Sequence, residues 1–188
     1  MSSRTQLLQA KPVFIGFAGR MGSGKSSAAK YLSSKYAFQY TRYSKILEEW
    51  LRPDSSDPDR LQKLGWEVMD GGRQGELNSR LISHLDHSRS AAIDGLRHRI
   101  DYDSLSSAFR PSFYMIFIQA PQELRFRRLV GRFSDFTAFQ LADKHPVEAN
   151  IDSLGPLASA TITHDGTLEE LYRRLDAWIA TSSIGEKK

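Results

Sequence analysis

Cysteine is absent from the 188 residues, which excludes a disulfide framework, thiolate metal sites and thiol catalysis together. No stretch approaches the roughly 18 to 20 continuous apolar residues that a bilayer-spanning helix needs. Met1 to Lys11 lacks the apolar run of a secretory signal, so the cytoplasm is the expected compartment and no membrane partner is expected. A nucleic-acid partner would bring a broad basic stripe with interleaved aromatics; nothing in the chain spreads that widely, and none is expected. What is present is enough apolar material, 40% hydrophobic and 11% aromatic, to rule out disorder and fibrous classes. At roughly 150 residues per domain the length supports one domain. The 26 basic residues outweigh the 22 acidic by four, and 17 of the 26 are arginine. Four of these, Arg125, Arg127, Arg128 and Arg132, crowd one eight-residue stretch. Arginine's planar fork matches phosphate oxygens, although a solvated helix face explains such a cluster equally well.

Hydrophobic patterning divides the chain into alternating extended and helical segments. Val13 to Ala18 reads as a strand that breaks at Gly19, and a helix opens near Lys25 and runs to Leu32. Ala37 to Tyr43 is a second extended segment, with Ser44 as a cap for a helix carrying Ile46, Leu47, Trp50 and Leu51. Pro53 and the polar 54–59 segment end it. Leu61, Leu64, Val68 and Met69, then Leu77, Leu81, Ile82 and Leu85, predict two further helices separated by Gly71-Gly72. Ala91 to Asp94, Phe113 to Ile118 and Ala160 to Thr163 are strand candidates. Pro121 suits the first position of a following helix. Thr167 and Glu170 form a capping box for a last helix whose Leu168, Leu171, Leu175, Trp178 and Ile179 face the core. Parallel strands joined by helical crossovers predict a three-layer α/β fold with a roughly five-stranded parallel sheet covered on both faces. Residues 12–181 form the expected domain, with flexible termini at 1–11 and 182–188.

One motif carries specific chemistry. Gly19-Arg20-Met21-Gly22-Ser23-Gly24-Lys25-Ser26 satisfies the P-loop pattern G-x-x-x-x-G-K-[ST], after a strand and before a helix as the mechanism demands. Gly19, Met21, Gly22, Ser23, Gly24 and Ser27 are therefore candidate nucleotide-binding residues through their backbone N–H groups. Lys25 can bridge the β and γ phosphates of ATP, and Ser26 can bind Mg²⁺. Walker-B logic asks for an acid at the end of a neighbouring strand, and Asp94 fits both as a metal ligand and as a catalytic residue; a turn-forming Asp-Gly is the rival reading. Gly95 stands where ATPases place a water-activating Glu, so transfer to a bound acceptor is favoured over hydrolysis.

From Val13 to about Ile179 the chain resembles the P-loop nucleotide kinases, the superfamily of nucleoside monophosphate kinases, adenylate kinase and dephospho-CoA kinase. Asp94-Gly95-Leu96-Arg97 is similar to that family's Asp-Gly-aromatic-Pro-Arg signature, one residue shorter and without the proline. The resemblance implies that Arg97 grips the acceptor's phosphate. Arg128-Leu129-Val130-Gly131-Arg132 resembles the arginine pair flanking the kinase lid, which implies Arg128 near the adenine, Arg132 on the transferred phosphate, and a short lid over about 132–152. Thr163-His164-Asp165-Gly166-Thr167-Leu168 resembles the last strand-to-helix loop of dephospho-CoA kinases, making Gly166 and Thr167 candidates beside the adenine; a turn and a helix cap explain them as well. The helices of about 44–88 correspond to the acceptor-binding region. Arg42 is there a candidate phosphate ligand or a solvated arginine. No acid precedes Glu48 in that segment, and a phosphate acceptor, already anionic, needs no base. The resemblance thus implies an ATP- and Mg²⁺-dependent kinase acting on a small nucleotide, most readily a nucleoside or deoxynucleoside monophosphate. Dephospho-CoA kinase and a nucleotide-binding regulatory module are the alternatives. Arg73, Glu76 and Arg80 read as surface pairs at helical spacing, His145 as a surface histidine, and Trp50, Trp66 and Trp178 as core or pocket lining.

Overall fold

The computed structural model describes residues 11–51 and 58–182. The stop at Pro53 and the expected flexibility of residues 1–10 and 183–188 lie outside the described residues. The elements in chain order are β1 (Phe14–Ala18), α1 (Lys25–Tyr36), β2 (Gln39–Arg42), α2 (Tyr43–Trp50), α3 (Pro58–Asp70), α4 (Gln74–Ser83), β3 (Ala91–Leu96), α5 (Arg99–Phe109), β4 (Phe113–Gln119), α6 (Gln122–Arg128), α7 (Phe136–Asp143), α8 (Pro146–Ala149), a 3-10 segment (Asn150–Leu157), β5 (Ala160–Thr163) and α9 (Leu168–Thr181). The five strands form one sheet in the order β2-β3-β1-β4-β5, and every pairing is parallel.

Two apolar cores sandwich the sheet, and strand alternation explains which residue joins which. Ile15 and Phe17 of β1, Ile116 and Ile118 of β4 and Ala92 of β3 pack with Ala28, Ala29 and Leu32 of α1 and Leu171 and Leu175 of α9. Phe14, Met115, Phe117, Ala91 and Ile93 point the other way, into a core shared with α2, α4 and α5. Phe14 stacks on Phe109 with ring centroids 3.8 Å apart. Burying such side chains, at about 1.5–3 kcal/mol each, holds the three layers together. The three-layer α/β fold expected from the sequence is the fold observed.

Several local expectations need correction. Ala37 adopts a left-handed conformation (φ 59°) as the C-cap of α1, so β2 begins only at Gln39. Arg42, extended, caps α2 in place of Ser44, whose hydroxyl instead accepts a hydrogen bond from Arg42 at 2.9 Å. Pro121 is the N-cap of α6 rather than its first helical residue, because its ψ of 142° is still extended. Strand β3 continues past Asp94 to Leu96 through a register shift: Phe17 pairs with Asp94 but Ala18 with Leu96, leaving Gly95 (φ +95°) unpaired. Leu96 consequently returns to the core that holds Ala91 and Ile93, as only an inserted residue allows. Leu168 is 43% exposed rather than core. Helix α5, absent from the sequence reading, fills the β3–β4 crossover.

Candidate active site

The P-loop sits between β1 and α1 at the C-terminal edge of the sheet, where ligands of open α/β folds bind. Gly22 (φ +74°) and Gly24 (φ +108°) turn the backbone through the left-handed region. At Gly24 a side chain would also stand 2.5 Å from His164 Nδ1, so the loop admits only glycine there. Beside the loop opens a cavity of about 790 Å³, in the upper part of the range for small-molecule sites. Met21, Gly22, Gly24, Lys25, Ser26 and Ser27 line one wall; Arg42, Asp94, Arg97, Arg128, Arg132 and Gly166 line the others. The structure thus gathers most of the residues singled out in the sequence around one space.

Three do not reach it. Gly19 (φ +136°) packs against the backbone carbonyl of Ile118, where a Cβ would clash. Ser23 is fully buried, with a hydroxyl that has no hydrogen-bond partner. Thr167 caps α9 and exchanges hydrogen bonds with Glu170.

Ser26 Oγ donates to Asp94 Oδ2 at 2.6 Å, and Tyr40 Oη donates to the same oxygen at 3.2 Å. Asp94 is 5% exposed. A hydroxyl and a carboxylate side by side are hard oxygen donors of the kind Mg²⁺ takes alongside substrate phosphates and water, so the residues present fit that ion. Lys25 Nζ donates to the Arg20 carbonyl at 2.9 Å, folding back along the loop. Burial pushes its pKa down to about 8, with the Arg97 charge adding to the effect while Glu148 and Asp94 oppose it. Arg128 donates to the carbonyls of His164 (3.1 Å) and Gly166 (3.2 Å). Burial lowers its pKa, and its Nη1 is buried without a partner. Arg42 donates to Ser44 and to Glu48 Oε2, each at 2.9 Å; Glu48 lines the cavity too.

Residues that no local motif marked support this wall. Glu148 of α8 is 1% exposed, accepts the Met21 N–H at 2.8 Å and pairs with Arg97. Burial pushes its pKa up, but Arg97, Lys25 and the Met21 N–H outweigh burial and hold the carboxyl below its usual range. Arg125, grouped above with possible phosphate ligands, is instead 4% exposed and bonded through both Nη atoms to Asp143 at 2.6 and 2.7 Å. It braces the loop from behind, donating to the Met21 carbonyl at 3.3 Å. Arg20 adds bonds to the Asp143 carbonyl and to Asp152. His164, also buried, donates from Nδ1 to the Ser23 carbonyl at 2.9 Å; burial lowers its pKa against the opposing pull of that bond. Asp101 gathers the N–H groups of Arg97 and His98, both at 3.0 Å, with the amides of Gln74 and Asn78. It thereby fixes the turn that carries Arg97. Arg73 pairs with Glu76 on the surface as expected, whereas Arg80 reaches Glu49 of α2. His145 is half-buried, edge-on to Trp66 at 5.4 Å, and caps α8.

The arrangement is that of a P-loop kinase. A shikimate kinase from Acinetobacter baumannii, solved in complex with shikimate, matches with a TM-score of 0.62 at 18% identity, covering 95% of this chain and 99% of its own. A gluconokinase from Sinorhizobium meliloti gives 0.64 at 15% identity over 92% and 94%. In sequence, the dephospho-CoA kinase of Thermus thermophilus is 24% identical over 200 residues, 94% of this chain and 95% of that protein. The fold and the site together define a kinase-type P-loop phosphotransferase. The chain belongs to the AAA domain family, whose model matches residues 15–135.

Proposed function

We propose that the protein transfers the γ-phosphoryl group of ATP to a small phosphorylated acceptor, a nucleoside or deoxynucleoside monophosphate, in the cytoplasm. The observation that carries this reading is the convergence of Lys25 and four guanidinium groups (Arg42, Arg97, Arg128 and Arg132) on one cavity that also holds the Ser26–Asp94 pair. Glu48 and Glu148 on the same lining pair with Arg42 and Arg97, and these two guanidiniums, each on its own anchor apart from Lys25, Arg128 and Arg132, suit a second phosphorylated ligand meeting the triphosphate end to end. Residues 12–181 act as one unit, with the helices of 44–88 on the acceptor side and 132–152 closing over the nucleotide.

The P-loop amides and Lys25 neutralise charge on the β and γ phosphates, and Gly166 and Arg128 border the adenine. Arg42 and Arg97 hold the acceptor's phosphate and aim one of its oxygens at the γ phosphorus. The bond from that oxygen to phosphorus forms as the bond to the β–γ bridging oxygen breaks, and ADP leaves. The attacking oxygen is already anionic, so no proton has to be removed. Arg132 neutralises the transferred group, and closure excludes the water that would compete. Mg²⁺, held by Ser26 and Asp94, would supply further charge neutralisation on the phosphates.

A second reading, dephospho-CoA kinase, is favoured by the near-full-length relative and by Glu48 on the cavity wall. An acceptor hydroxyl must lose a proton, and Glu48 is an acid in position to take it. The deciding experiment is ADP release from ATP and Mg²⁺ by purified protein, against AMP, GMP, CMP, UMP, their deoxy analogues, dTMP and dephospho-CoA. Stimulation by a monophosphate is expected. Stimulation by dephospho-CoA alone would transfer the assignment to the second reading. A flat panel with demonstrable ATP binding would replace catalysis with a regulatory, nucleotide-switched role.

A further inference from the structure

We propose that Glu148 is a positioning residue that ties the P-loop to the acceptor-gripping arginine, so that Arg97 is aimed from the same point that holds the nucleotide loop. The proposal rests on the reading of Arg97 as the acceptor's phosphate ligand. Glu148 comes from the short helix α8, inside the 132–152 segment read as the lid, 127 residues from Met21 and 51 from Arg97, yet one carboxylate meets both. Oε2 takes the Met21 N–H at 2.8 Å and Oε1 takes Arg97 Nη1. Withdrawing a carboxylate from water to 1% exposure costs several kcal/mol unless cations and donors compensate it. A group needed only to satisfy one loop amide would not have to be charged.

The pairing is one-sided on Arg97. Its side chain is 37% exposed while that of Glu148 is 1% exposed, so the pair lies at the cavity wall with the guanidinium on the open side. A guanidinium carries five N–H donors in a rigid fork. Anchoring one edge leaves the others oriented as a unit, which is how a phosphate ligand is pre-set before the acceptor arrives. The segment's other contacts extend the link. Val147 also lines the cavity, and His145, two residues before it, sits edge-on to Trp66 of α3.

The test separates charge from shape. Glu148→Gln keeps an oxygen for the Met21 N–H and deletes the charge facing Arg97. Read with the panel member that gives the fastest turnover, it should raise the acceptor KM about tenfold, as loss of a charge-assisted bond does, with kcat and ATP affinity within about twofold. Arg97→Ala and the double variant Arg97→Ala/Glu148→Gln should share one acceptor KM, because removing the arginine removes what Glu148 acts on. A purely structural Glu148 predicts the opposite: ATP affinity, acceptor KM and melting temperature worsening together, and effects that add to Arg97→Ala. That pattern would overturn the proposal. If no panel member is phosphorylated, the kinase reading fails by itself, and Glu148 is judged by NMR. The Arg97 Nε–H and Met21 amide resonances must both move in Glu148→Gln; an unmoved Arg97 signal refutes the tie.

Discussion

Ser26 and Asp94 share a hydrogen bond of 2.6 Å that joins the first turn of α1 to β3, two elements 68 residues apart in the chain. The bond pre-sets both oxygens on one side of the loop. Asp94→Asn, nearly the same shape, removes the negative charge while keeping an oxygen for Ser26 and Tyr40. We expect kcat to fall about 100-fold, corresponding to about 2.7 kcal/mol, with a thermal midpoint within a few degrees of the parent. Steady-state ADP release at saturating Mg²⁺ checks it, and a variant with more than a tenth of parental turnover would remove Asp94 from the chemistry.

The depressed pKa of Lys25, about 8 against an ordinary 10.5, sets a pH dependence for binding. Only the ammonium form attracts phosphate, so ATP affinity should hold steady below about pH 8 and weaken by up to tenfold per unit above it. The stability effect has the opposite slope. A lysine whose folded pKa lies below its unfolded value penalises the native state at low pH, and that penalty disappears as pH rises from about 8 to about 10.5. Calorimetric titration of ATP between pH 6.5 and 9.5 reads the first effect. Lys25→Arg, charged throughout, should flatten the profile.

Arg125 and Asp143 form a buried ion pair with two bonds, so truncating one partner strands the other. Arg125→Ala is expected to destabilise the protein by about 3–5 kcal/mol and to weaken ATP binding, because the same side chain holds the Met21 carbonyl. Burial raises the Asp143 pKa, but its bonds to Arg125 and Gln122 win and hold it below 3.8. This support is therefore complete at neutral pH and is lost as pH falls below about 4. Urea denaturation at pH 7 and pH 3.5 measures both effects; a loss under about 1 kcal/mol at pH 7 would show the pair to be dispensable.

How much of this was legible in the sequence depended on how far apart the partners lie. The P-loop is eight contiguous residues bounded by a strand and a helix, and its conformation follows from glycines that need no distant contact. Asp94 was found because a strand end beside the loop is a topological necessity. Helix α5 escaped because its buried face mixes Leu105 and Phe109 with Asp101 and Ser106, which blurs the apolar stripe. Leu168 fits the periodicity of α9 but lies in its first turn, on the cavity wall. Arg125 looked like its exposed neighbour Arg127 because the acid that claims it is 18 residues on. Glu148 carries no local mark at all: a lone glutamate after a proline acquires meaning only when the chain folds back upon the loop.

The unpaired Gly95 has a consequence for what this turn can tolerate. Its insertion resets the phase of the strand, so that Asp94 keeps the parity of Ala92, toward α1, while Leu96 resumes that of Ile93 on the opposite layer. The turn therefore works as a counter as much as a hinge. A strand of the same length that ran on without this bulge would preserve the acid but send Leu96 into the wrong layer and turn Arg97 to the opposite side. Spacing, more than the identity of any single side chain, is what couples the two halves of this site.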